Sequence, residues 1–179
     1  MAGFAKIVVP IALVFAALPG MAAPLPHLEL SRLNGTSFAL PEDLGAKTSA
    51  LAIGFTRSAG SKSRAWTDRL EKDFGDRPGF AAYGVAVLAA VPRLFRPLAL
   101  AGVEKSVPAE GRDRFLIALT DEAEWKALVG YESPDDPYIL VMDRQGEVIA
   151  EGRGPLGDAA YRKLAGEIDR ALSGERKER

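Results

Sequence analysis

The sequence predicts an α/β fold: a central mixed β-sheet flanked by helices and closed by a C-terminal β-hairpin and helix. Three features carry that expectation. Ser49 to Phe55 and Ala81 to Ala90 are apolar runs of strand length on either side of a helical stretch, the order of a βαβ unit with parallel strands. Tyr138 to Met142 and Glu147 to Glu151 flank Asp143-Arg144-Gln145-Gly146 and read as an antiparallel hairpin. Tyr161, Leu164, Ile168 and Leu172 then recur at helical spacing.

Taken in order, residues 23–27 form an N-terminal arm. Leu28 and Leu30 alternate with Glu29, Asn34-Gly35 is a turn signal, and Phe38 and Leu40 alternate again before Pro41. Thr56 to Ser63 is a polar loop entering a helix, with Ser61 or Ser63 as its cap. Trp66, Leu70 and Phe74 make the helix's apolar stripe, and Gly75, Pro78 and Gly79 end it. Pro92 to Pro108 reads as an insertion of helix and loop, with Leu94, Leu98 and Val103 on a short helix weakened by Pro97 and Gly102. Arg114 to Leu119 is a third strand. Thr120-Asp121-Glu122 opens a helix whose core contacts are Trp125 and Leu128. Gly152, Gly154, Pro155 and Gly157 form a linker, and Asp158 caps the last helix. The globular domain spans 28–172, and 173–179 is a charged tail.

Composition narrows the chemistry. The 179 residues carry 23 Lys+Arg against 24 Asp+Glu, a net charge of −1 that leaves no footprint for a nucleic-acid partner. There is no cysteine and one histidine, His27. Thiol nucleophiles, disulfides, iron–sulfur clusters and two-His metal sites are therefore excluded within this chain, and no cofactor is expected. Near the predicted mature terminus, His27 reads as a solvated side chain.

Residues 1–22 read as a signal peptide. Lys6 is followed by the uncharged run Ile7 to Leu18, then Pro19-Gly20, with small residues before a cut after Ala22. Cleavage places the protein in the periplasm or outside the cell. An uncleaved segment would instead anchor it to the membrane, though the run is short against the ~20 residues a spanning helix needs.

A family resemblance follows from these elements. The βαβ unit, hairpin and final helix, with Leu33-Asn34-Gly35 and Leu40 at the entry and Asp136-Pro137 before YILVM, resemble periplasmic thioredoxin-like and peroxiredoxin-like proteins. The resemblance implies a cis-proline at Pro137 and a redox C-x-x-C at Gly60-Ser61-Lys62-Ser63. Serine has no disulfide chemistry, so the scaffold is implied and its usual activity denied. Val91-Pro92-Arg93-Leu94, Val107-Pro108, Arg112-Asp113-Arg114-Phe115 and Tyr138 to Asp143 are further similar to the cysteine-free, thioredoxin-like assembly factors of mitochondrial ATP synthase. That likeness implies a chaperone of a membrane-protein client.

The expected site is a groove for a protein or peptide partner. It lies between the helix start (Arg57, Gly60, Ser61, Lys62, Ser63) and Asp136, Pro137 and Tyr138, using main-chain pairing beside Pro137 and charge from Lys62 or Arg57. Two other readings remain open. One is a thiol-independent oxidoreductase or peroxidase relative. The other is a small-molecule or anion site at the helix start, which is not a P-loop because Thr56 stands where its first glycine belongs.

Overall fold

The computed structural model describes residues 25–174. The expected signal segment and its cut site lie outside them, as do residues 175–179 of the tail.

The chain opens as a hairpin, β1 (Leu28–Arg32) and β2 (Ser37–Leu40), turned at Asn34-Gly35 with Gly35 at φ +84°. The βαβ unit follows: β3 (Thr48–Gly54), α1 (Arg57–Phe74) and β4 (Phe80–Val87). A 3₁₀ turn (Arg93–Phe95), α2 (Arg96–Ser106) and a second 3₁₀ turn (Ala109–Arg114) form the insertion before β5 (Phe115–Ala118). Next come α3 (Glu122–Leu128), β6 (Tyr138–Asp143), β7 (Val148–Arg153) and α4 (Asp158–Ser173). Pro97 sits in the first turn of α2, where its missing N–H has no intrahelical acceptor to lose.

One seven-stranded sheet runs β2-β1-β5-β4-β3-β6-β7. β3, β4 and β5 are mutually parallel and the remaining pairs antiparallel, so the sheet is mixed as the sequence predicts. Alternation of side chains along each strand divides the core into two layers. On one face Leu51, Ile53, Val85, Val87, Leu116 and Leu140 pack with the β1–β2 hairpin and with Trp125 of α3. On the other, Trp66, Leu70 and Phe74 of α1 and Tyr161, Leu164 and Ile168 of α4 cover Ala50, Ala52, Ala82, Ile139 and Val141. The apolar stripes expected for these two helices are buried, except that Leu172 at the end of α4 is half-buried.

Side-chain bonds tie the helices to each other and to the sheet. Trp66 Nε1 donates to the Gly154 carbonyl at 3.0 Å. Tyr161 Oη donates to Asp73 at 2.6 Å, and burial, reinforced by that carboxylate, pushes its phenol up to about 12. Lys47 Nζ bonds the Leu172 carbonyl at 2.8 Å, satisfying an end group of α4.

Four local expectations are corrected. α1 starts at Arg57, so 56–63 is not a loop. Its cap is Thr56, whose hydroxyl accepts from Ala59 N at 3.1 Å, while Ser61 and Ser63 lie inside the helix and bond back to the Ser58 and Ala59 carbonyls. Asp158 is the first residue of α4, and Gly157 holds the cap position without a side-chain bond. Gly152 belongs to β7 rather than to a linker. The Asp136–Pro137 bond is trans; the cis bond among the described residues precedes Pro41. His27 is exposed but not free, since Glu42 accepts from its ring at 3.0 Å and raises its pKa.

Candidate binding site

The start of α1 is built by a close backbone approach. Gly54, the last residue of β3, lies under the first turn of the helix. A Cβ there would come within 2.9 Å of Gly60 N and 3.1 Å of Gly60 Cα. Glycine at 54 lets the helix sit directly on the strand end. The Thr56 hydroxyl then reaches the 134–137 loop, 2.9 Å from Asp135 Oδ1 and 3.1 Å from the Pro134 carbonyl. Lys62 Nζ donates to the Asp135 carbonyl at 2.8 Å.

The two halves of the expected groove are thus neighbours, and these bonds stitch them together. Pro137 is buried, and its carbonyl accepts from Gly154 N at 3.0 Å. Tyr138 is 2 % exposed and pairs with Ile53 on one side and Arg153 on the other. Its hydroxyl accepts from Glu132 N and Ser133 N and donates to the Ser133 carbonyl, pinning the loop from beneath. Strand addition therefore does not run through Tyr138. Asp136 is half-buried, Arg57 and Ser61 are exposed, and Ser63 is buried. Tyr131, Phe55 and Tyr138 form an aromatic cluster below the joint, with Phe55 and Tyr131 centroids 4.9 Å apart.

Arg57, Gly60, Ser61 and Ser63 instead border a cavity on the other side of α1, which the sequence reading missed. Its volume is about 950 Å³. Its cause is local. On the face covered by α1, β3 and β4 present Ala52, Gly54, Ala82, Gly84 and Ala86, while Leu51, Ile53, Tyr83, Val85 and Val87 point the opposite way. α1 fills the space over β3. It also covers the start of β4 at Phe80 and Ala82; beyond it the cavity is bounded by α2, which buries none of its residues. Phe95, Leu98, Ala99 and Val103 roof the cavity, and Val107 and Phe115 close its far wall.

The roof is fastened at both ends. Arg96 donates to the carbonyls of Val91 (3.0 Å), Leu119 (3.1 Å) and Ala89 (3.4 Å), fixing the start of α2 to the ends of β4 and β5. At the other end Arg64 bonds the Ser106 carbonyl, and Val107 is buried. Along this segment Leu94 is 84 %, Leu98 74 % and Phe95 57 % exposed, the exposed large apolar side chains among the described residues. At the rim, Arg114 pairs with Glu71 and Arg64 lies 3.7 Å from Asp68. The period-two run of small residues at 82, 84 and 86 was the signal for this cavity, visible in the sequence but not distinctive of it.

No family model matches the chain, and no curated protein matches it. Solved structures do. The BsSco protein, of the Sco family of cytochrome c oxidase assembly proteins, is 11 % identical with a TM-score of 0.60 over 86 % of this chain and 95 % of that one. The exposed lipoprotein thioredoxin Etrx1 of Streptococcus pneumoniae is 17 % identical, TM-score 0.57, over 79 % and 99 %. A thioredoxin-family thiol:disulfide interchange protein of Chlorobium tepidum is 18 % identical, TM-score 0.54, over 87 % and 99 %. At these identities the likeness is one of fold: the chain has a thioredoxin-like fold and contains no cysteine. Among the described residues no helix is long and apolar enough to cross a membrane.

Proposed function

We propose that this chain is a non-catalytic, thioredoxin-like binding protein that works outside the cytoplasm and holds a protein or peptide partner at the α1 end of its sheet. One observation carries the reading. The positions where the resemblance places a dithiol are Gly60-Ser61-Lys62-Ser63, and they lie within α1, with Ser63 buried and Lys62 bonded to the 134–137 loop. What is a reaction site in the family is here a structural joint. Around that joint, exposed Arg57 and Ser61 and the apolar apex of Leu94, Phe95 and Leu98 offer a surface to grip. The signal-like start of the chain supports export, and a role in assembling an envelope complex follows from the resemblance to assembly factors.

The test is affinity capture from the envelope fraction, comparing the tagged chain with an Arg57→Glu/Ser61→Arg variant. Both positions are exposed, so circular dichroism and melting should match between the two. The expected result is a partner retained by the first and lost by the second. Identical partner sets on both would overturn the placement. Turnover of peroxide with a dithiol donor above a heat-killed control would overturn the non-catalytic reading.

A further inference from the structure

We propose that the cavity between α1 and α2 binds the alkyl chain of an anionic single-chain amphiphile of the long-chain fatty acid class, its carboxylate held at the mouth by Arg57. The volume of about 950 Å³ falls in the range of small-molecule sites, roughly 300–1,000 Å³. The walls select what enters. The hydroxyls bordering the cavity on α1 and α2 all donate back to their own helices: Ser61 to Ser58, Ser63 to Ala59, Thr67 to Arg64 and Ser106 to Val103. A polar ligand would find those donors engaged, and ordered water needs several polar partners to stay. The remaining lining is largely Ala, Gly, Val, Leu and Phe, which suits a flexible hydrocarbon chain.

Charge at the mouth selects the head group. Arg64 and Arg114 are offset by Asp68 and Glu71. Arg57 borders the cavity at the start of α1 and has no ion pair among the described residues, so its charge is the one at the mouth that no paired carboxylate offsets. Glu110 borders the far side and repels a carboxylate there, which fixes the direction of the chain. Phe95 and Leu98 of the lining, continued by Leu94 beside exposed Arg93, form an exposed apolar lip against which an alkyl chain can rest. The inference concerns the purified chain alone and does not depend on any protein partner.

The test uses the full chain, delipidated, titrated with the fluorescent probe dansyl-undecanoate and competed with palmitate or hexadecanol. The expected result is one saturable site from which palmitate displaces the probe. Gly102 lines the cavity and a Cβ there meets nothing within 4 Å, so Gly102→Trp starts into open space and fills the cavity from its roof. It should weaken palmitate at least tenfold with melting unchanged; Gly102→Leu serves if the larger ring unfolds the protein. Arg57→Gln should weaken palmitate severalfold and leave hexadecanol unaffected. Absence of saturable binding, wild-type affinity in both plugged variants, or binding of a Leu/Ala-rich peptide but of neither amphiphile overturns the proposal.

Discussion

Replacing Trp66 with alanine is expected to remove a large fraction of the stability of this domain. The indole is 0 % exposed and sits between α1, the sheet and α4, its ring centroid 6.2 Å from that of Tyr161. Truncating a buried aromatic of this size costs about 3–5 kcal/mol. The Gly154 carbonyl also loses its donor, at about 1–3 kcal/mol for a buried group left unsatisfied. Against a total of roughly 5–15 kcal/mol for a domain, that is a large fraction. Urea unfolding should show a much lower midpoint with an unchanged slope. Trp66→Phe keeps most of the packing and loses the N–H, so its cost should be about 1–3 kcal/mol. A Trp66→Ala loss below about 1 kcal/mol would mean that α1 and α4 do not share this core.

Gly54→Val should be the second severe change, and its sign runs against propensity. Valine favours strands, and glycine within one costs about 0.5–1 kcal/mol. The clash outweighs that gain, because a Cβ at 54 meets the Gly60 backbone at 2.9 Å and backbone cannot rotate away. Overpacking of this kind costs about 1–3 kcal/mol, or about 2–4 °C of Tm per kcal/mol for a domain this size. Gly60→Ala on the opposite side of the same contact should do the reverse. Its Cβ meets nothing within 4 Å, so helix propensity should raise stability by about 0.5–1 kcal/mol. Thermal melts of the two variants check the pair. Stabilisation by Gly54→Val would show that α1 does not rest on the end of β3.

Much of this architecture was legible because single periodicities carry it. Trp66, Leu70 and Phe74 mark the buried side of α1, YILVM marks a strand buried on both faces, and Asn34-Gly35 marks the first turn. The start of α1 was not legible. TRSAGSKS is polar, short-chained and interrupted by glycine, so it reads as loop. What makes it helical is tertiary: the Gly54–Gly60 approach, and bonds from Thr56 and Lys62 to a loop more than 70 residues away in sequence. For the same reason the expected groove held the right neighbours in a different relation. Lys62 is spent on the Asp135 carbonyl rather than offered to a ligand, and Tyr138 faces inward. The cavity escaped notice because emptiness has no residue of its own. It arises from alternate small side chains on β4 meeting a helix with no buried face.

Binding at the α1 end of the sheet, without chemistry, is the claim on which the rest depends. It is tested most directly by placing photo-crosslinking side chains in the full-length protein at Ser61, at Leu98, and at exposed Lys163 of α4, beside the edge strand β7. The expected result is capture of one and the same protein from Ser61 and Leu98 and none from Lys163. Equal capture at all three positions, or at Lys163 alone, would contradict it.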